Sequence, residues 1–209
     1  MASRPHQRPL REARDQRGLP RPRAYKLKEI DESLGLVKPG QLVVDLGSTP
    51  GAWSQYLRRR MSPGGAAVGD LNGTIISLDL LPMEPIEGVT FLQGDFREDA
   101  LLAQLLAVLD GRKADLVVSD MAPNLSGIHS ADAARVEHLI ELAIELRPAP
   151  HEARRGMVAK VFHGSGYDEL VKMFKAHFRV VSRSSPRQSR DKSAETFLIG
   201  RGLKALDTH

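Results

Sequence analysis

Seven short apolar runs, separated by helix-length segments or glycine-containing turns, limit what this chain can fold into. They lie at 42–46 (LVVDL), 74–80 (TIISLDL), 89–92 (VTFL), 115–118 (DLVV), 157–162 (MVAKVF), 178–182 (FRVVS) and 196–199 (TFLI). Between several of them, residues 98–109, 133–147 and 167–177 carry apolar side chains at helical spacing. Strands this apolar are covered on both faces, and strands that alternate with helices build a mostly parallel sheet. Only the short loop 183–195 separates the last two runs, so they pair antiparallel at one edge. The expected fold is therefore α/β: a seven-stranded, mostly parallel sheet with one antiparallel edge strand and helices on both faces. A single domain is expected over 23–203, after a basic, flexible arm at 1–22 and before a short tail at 204–209. Residues 62–73 (SPGGAAVGDLNG) read as an extended loop.

The chain has no cysteine, which rules out a disulfide scaffold and thiolate metal sites and fits a reducing cytoplasm. Its histidines, at 6, 129, 138, 151, 163, 177 and 209, show no pairing at metal-ligand spacing, so no metal site is expected. No apolar run reaches membrane-spanning length, and no apolar signal core opens the chain, so no membrane role is expected. Charge is unevenly placed. Residues 1–28 hold nine basic groups against two acidic ones, a surplus of seven. Because the whole chain is +4, the other 181 residues carry −3. Such an arm suits either a polyanionic partner or a solvated tail.

Open α/β sheets bind ligands beyond the carboxyl ends of their strands. The residues there are DLGSTPGAW (45–53), Asp79, Asp95, Asp120 in SDMAPN, and Lys160 in MVAKVF. Glycines such as Gly51 allow a ligand close to the backbone, and Asp79 can accept hydrogen bonds from ribose hydroxyls. Dinucleotide and S-adenosylmethionine (SAM) sites share both features. A dinucleotide fingerprint needs G-x-G-x-x-G to seat its pyrophosphate. Here Gly47 and Gly51 flank Pro50 without any G-x-G, which disfavours NAD; SAM has no phosphate to seat. Asp95 can read the adenine amine. Taken singly, Gly51 suits an ordinary turn, Trp53 (the only tryptophan) suits a core, and Asp79 or Asp95 suits a helix cap. Their convergence on one rim favours a cofactor site.

A lysine at the end of a buried strand either snorkels to water or does chemistry. Methyl transfer to an alcohol requires alignment and removal of the hydroxyl proton, which a desolvated amine can accept. Asp120 stands where base-N6 methyltransferases carry a D/N-P-P-aromatic motif, yet the chain reads Asp120-Met121-Ala122-Pro123-Asn124 and lacks the stacking aromatic. A carboxylate beside a lysine suits a hydroxyl acceptor better than a ring nitrogen. A plain Asx turn is the simpler reading of Asp120.

Six segments carry a family resemblance: AYKLKEID (24–31), VVDLGSTPGAW (43–53), DLLPMEPIEGVTFLQGDFRE (79–98), VVSDMAPNLSG (117–127), KVFHGSGYDEL (160–170) and ETFLIG (195–200). Together they resemble the FtsJ/RrmJ (RlmE) family of bacterial ribosomal RNA methyltransferases over about residues 22–202. The resemblance implies a Rossmann-like, SAM-dependent 2′-O-methyltransferase acting on a uridine in the A-loop of 23S rRNA, within the large (50S) ribosomal subunit. It carries the family's K-D-K-E tetrad onto Lys26, Asp120, Lys160 and Glu195, and its SAM contacts onto Gly51, Trp53, Asp79, Asp95 and Asp120. Lys160 would accept the 2′-OH proton. A cytoplasmic monomer is expected.

The chain departs from that family in three places. GAAPGGW becomes GSTPGAW, with Ala52 for a glycine. The segment before the fifth strand is longer and adds Arg154 and Arg155, and the 62–73 loop is also longer. The resemblance tips the basic arm, with Arg183, Arg187, Arg190 and Lys192, toward RNA contact. Aromatics make up only 5% of the chain, too few for a broad base-stacking platform, so backbone charge and RNA shape would carry recognition. Competing readings are a nicotinamide-dependent oxidoreductase, a non-catalytic ribosome-assembly module and a methyltransferase for another RNA such as tRNA.

Overall fold

The computed structural model describes residues 23–95, 98–121, 156–162, 167–184 and 195–204. The basic arm, the helical pattern at 133–147, Arg154, Arg155, Arg187, Arg190, Lys192 and residues 205–209 lie outside them. The described chain runs α1 (Arg23–Leu34), β1 (Leu42–Leu46), α2 (Ala52–Arg60), β2 (Thr74–Asp79), β3 (Val89–Gln93), α3 (Asp99–Leu109), β4 (Leu116–Ser119), β5 (Gly156–Phe162), α4 (Tyr167–His177), β6 (Phe178–Ser184) and β7 (Glu195–Leu203). Among the described residues no helix is long and apolar enough to cross a membrane.

The strands form one sheet in the order β3-β2-β1-β4-β5-β7-β6. The first five are mutually parallel, while β7 runs antiparallel to both β5 and β6. The antiparallel pairing expected at one edge is present. The reversed strand, β7, stands one place in from the rim, and β6 is outermost. Pairing on both sides also lengthens β7 past the apolar run 196–199, because Gly200, Arg201 and Leu203 enter the ladder through their backbone.

Side chains alternate across each strand, so the sheet divides the core in two. On one face, Val43, Ile75, Val118, Val158, Phe197 and Ile199 pack beneath α1 and α2, which contribute Leu27, Ile30, Trp53 and Leu57. On the other, Leu46, Ile76, Val117 and Met157 meet Leu101, Leu105 and Leu109 of α3 and Leu170 and Phe174 of α4. These helical residues recur at three- and four-residue intervals, which places them on one stripe.

Two charged side chains are sealed into this frame. Asp31, 1% exposed, accepts hydrogen bonds from Val37 N (2.7 Å), the Tyr56 hydroxyl (2.7 Å) and Arg60 Nε (3.0 Å), which ties α1 to α2. Burial and the Asp31 carboxylate push the Tyr56 phenol up, so the hydroxyl stays a donor. Arg58, also 1% exposed, donates to Gly69 O (2.6 Å) and to Ser62 Oγ, pinning the 62–73 segment to α2. That segment contains a short 3₁₀ turn at Pro63–Gly65 and is otherwise loop, as its composition predicts.

Candidate active site

The carboxyl ends of β1, β2, β3, β4 and β5 share one rim, because those strands are parallel. The loop after β1 folds over β2, with Gly47 N and Ser48 N both donating to Leu78 O (2.9 and 3.2 Å). Asp79 then clasps two loops. Its Oδ2 accepts from Thr49 N and its Oδ1 from Leu81 N, both at 2.8 Å, and each oxygen keeps a lone pair for a further donor. Gly94 N donates to Asp79 O (2.9 Å), which brings half-buried Asp95 to the same end of the sheet.

Glycine is needed at two points of the first loop. Gly47 has φ +73°, and a Cβ there would stand 2.3 Å from Met121 Cγ and 3.2 Å from Met121 N. Gly51 has φ +102°, and its Cβ would meet Ile86 Cδ1 at 3.0 Å and Met83 Sδ at 3.1 Å. Ala52 follows as the first residue of α2 and is buried, so the departure from glycine there places a better helix former at the helix start. Trp53 is 3% exposed and faces the core, its ring 5.9 Å from Phe197 and tilted by 43°.

Lys160 lies on β5 two residues beyond Val158, on the sheet face covered by α1 and α2. Its Nζ is 3.0 Å from Asp120 Oδ1, and the two side chains are only 11% and 10% exposed. The lysine of the buried strand is thus ion-paired across the β4–β5 boundary. Asp120 itself is held by its backbone N–H donating to Leu46 O (3.2 Å). Lys26, on α1, holds its ammonium 5.4 Å from the centre of the Phe197 ring. Phe197 is the cross-strand partner of Lys160, and Glu195 opens the same strand opposite Phe162. The fold therefore brings Lys26, Asp120 and Lys160 to one end of the sheet, with the backbone of Glu195 two positions from Phe197.

Asp45 belongs with this group, although the sequence reading passed over it. It is fully buried; its Oδ2 accepts from Ser54 Oγ (2.5 Å), which also contacts Ser77 Oγ (2.7 Å), and its Oδ1 has no hydrogen-bond partner among the described residues. Burial pushes its carboxyl up to about 7, against the Ser54 hydrogen bond, and the charges of Asp120 and Asp79 add to the rise. The available signal was a carboxylate inside a five-residue apolar strand. The native state holds this proton more tightly than the unfolded chain does, so Asp45 lowers stability as pH rises from about 4 to about 7. Asp45→Asn, which stays neutral, is expected to match wild type near pH 3, below the unfolded-state value, and to exceed it by roughly 4 kcal/mol at pH 8. Urea unfolding at both pH values checks this; two curves that keep a constant offset would refute it.

Three carboxylates at neighbouring strand ends, with no glycine cradle for phosphate, favour a cationic ligand bearing hydroxyls. A doubly wound sheet with β7 inserted antiparallel between β5 and β6, and with such a rim, defines a Rossmann-like methyltransferase. Residues 21–203 match the family model described as FtsJ-like methyltransferase. A Variovorax paradoxus (strain S110) protein named ribosomal RNA large subunit methyltransferase E is 78% identical over 185 residues, covering 88% of this chain and 83% of its own. One of the same name from Albidiferax ferrireducens is 69% identical, covering 87% and 83%. A solved structure described as a ribosomal RNA methyltransferase from Plasmodium falciparum superposes with a TM-score of 0.65 at 26% identity, covering 86% of this chain and 96% of its own. The chain belongs to the FtsJ-like methyltransferase family.

Proposed function

We propose that this chain methylates the 2′-oxygen of a uridine in the A-loop of 23S rRNA, within the large ribosomal subunit, with SAM as donor and Lys160 as proton acceptor. The observation that carries the reading is the Lys160–Asp120 pair, nearly sealed from water at the rim where α/β sheets bind ligands. The names of the 78% and 69% identical relatives support the substrate class.

The residues present fit SAM. Gly47 and Gly51 let the first loop pass close against Met121 and against Met83 and Ile86, Asp79 retains acceptor capacity for ribose hydroxyls, Asp95 stands beside it, and the Asp45 Oδ1, which has no hydrogen-bond partner among the described residues, leaves an acceptor below the loop. When bound, SAM supplies a methyl group on a sulfonium, with S-adenosylhomocysteine as the leaving group. Lys160 takes the 2′-OH proton on Nζ as the oxygen attacks the methyl carbon and the carbon–sulfur bond breaks. Asp120 then faces the ammonium so formed, a partner already in place before the charge develops. Lys26 contributes positive charge at the same end of the sheet, where an RNA phosphate approaches. Glu195 completes the tetrad, with the basic arm and Arg183 meeting the RNA backbone. The enzyme acts as a cytoplasmic monomer.

Labelled SAM, supplied with large subunits from cells lacking this methyl group, tests the reading against free 23S rRNA and tRNA. Label on the subunits, at the ribose of an A-loop uridine, is the expected result. Label on tRNA alone would keep the chemistry and overturn the substrate.

A further inference from the structure

We propose that Phe197 is a positioning residue, whose ring face holds the Lys26 ammonium beside the Lys160–Asp120 pair and whose contact with Trp53 couples that lysine to the cofactor loop. This deepens the proposed function and rests on it. Phe197 is 1% exposed. It contacts three elements: α1 through Lys26, at 5.4 Å from its ring centre; α2 through Trp53, at 5.9 Å between centroids; and β5 as the cross-strand partner of Lys160. Directly opposed residues in an antiparallel pair share a face, with Cβ atoms about 4.5–5.5 Å apart. Lys160 and Lys26 therefore approach Phe197 from two sides, one from the sheet and one from the helix above it.

Two ammonium groups at one end of the sheet repel each other, and the Lys26 side chain has four rotatable bonds with which to leave. A ring face attracts a cation through its quadrupole, most strongly where water is excluded. An aliphatic residue of similar size would fill the same space without that attraction. Trp53 directly follows Gly51 and Ala52, so a shift of the cofactor loop reaches Lys26 through two aromatic rings. That gives a route by which loading the cofactor site aligns the charge that meets the RNA.

The test separates the ring's electrostatics from its bulk. Phenylalanines carrying one, two and three ring fluorines, placed at 197, weaken the quadrupole progressively with little change of shape. Single-turnover methylation of large subunits is expected to fall stepwise, by about tenfold at three fluorines, while SAM affinity and melting temperature hold. In a Lys26→Met background the rate no longer depends on fluorination. A packing role would instead leave the fluorine series flat and move melting temperature in Phe197→Leu. A flat series with an active wild type overturns the inference alone, as does a fluorine effect that survives Lys26→Met. A wild type that methylates none of the acceptors overturns the proposed function and this inference together. A readout independent of turnover is the ring-current displacement of the Lys26 ε-methylene NMR signal: present in wild type and lost in Phe197→Leu if the ring holds the lysine, absent from both if it does not.

Discussion

Lys160→Met lowers single-turnover methyl transfer by about 10²- to 10⁴-fold and leaves SAM affinity within a few-fold of wild type. The range is what general-base catalysis contributes. Methionine keeps most of the apolar stem of a side chain that is 11% exposed and removes only the amine, so the strand stays packed. Asp120 loses its ionic partner at 3.0 Å, and the native state loses some stability as that carboxylate, 10% exposed, is left without it. The comparison that isolates catalysis is therefore rate at saturating SAM against binding of SAM by calorimetry. Equal losses in both would mean that Lys160 holds the site together rather than taking the proton. A near-normal rate would remove it from the chemistry. Lys160→Arg is a second control: it keeps the charge and the ion pair, cannot give up its proton near neutrality, and should be as slow as the methionine variant.

Gly47→Ala is the second large effect, expected in binding and stability rather than in chemistry. The residue sits at φ +73°, a region that costs a side chain about 1–2 kcal/mol, and the new methyl would press on Met121 Cγ at 2.3 Å and on the Met121 backbone nitrogen at 3.2 Å. The methionine side chain can swing away; the backbone nitrogen, adjoining Asp120 and its hydrogen bond to Leu46, cannot. Strain and overpacking together amount to roughly 2–4 kcal/mol, a fall of about 5–15 °C in melting temperature for a domain of this size. SAM affinity drops by about tenfold or more, because the first loop and the Asp120 segment are forced apart at the rim. Adding Met121→Ala relieves the contact with the side chain and recovers part of the affinity but not the backbone strain. Unchanged SAM binding in Gly47→Ala would show that the close approach of these two segments is not part of the cofactor site.

Much of the frame can be read without coordinates. LVVDL is β1 at 42–46, and the 167–177 pattern is α4 to the residue, because apolar spacing reports which side chains a two-faced sheet or a one-striped helix must bury. The positions at the strand ends also stand out: a lysine near the end of MVAKVF, and aspartates at or just beyond the ends of three other strands. Three features are not legible. The insertion of β7 between β5 and β6 depends on which backbone edges remain unpaired once the parallel strands have assembled. The burial of Asp31 among Val37, Tyr56 and Arg60 joins residues up to 29 apart in sequence, so its polar character reads locally as helix surface. Phe197 looks like one more apolar residue in TFLI; only packing gives it a lysine above and a tryptophan beside.

The sequence alone therefore determined the alternation of strands and helices, the rim at which charged residues collect, and the chemistry those residues offer. Periodicity, glycine placement and residue type are local properties, and local properties survive in a list of letters. The tertiary structure alone decided that Lys160 pairs with Asp120, that Asp45 is buried beside Ser54 and Ser77 with its carboxyl raised to about 7, and that Lys26 comes from α1 to the ring of Phe197. Ion pairing, desolvation and ring contact depend on distance through space, and distances between elements are set only when both faces of the sheet close over their cores.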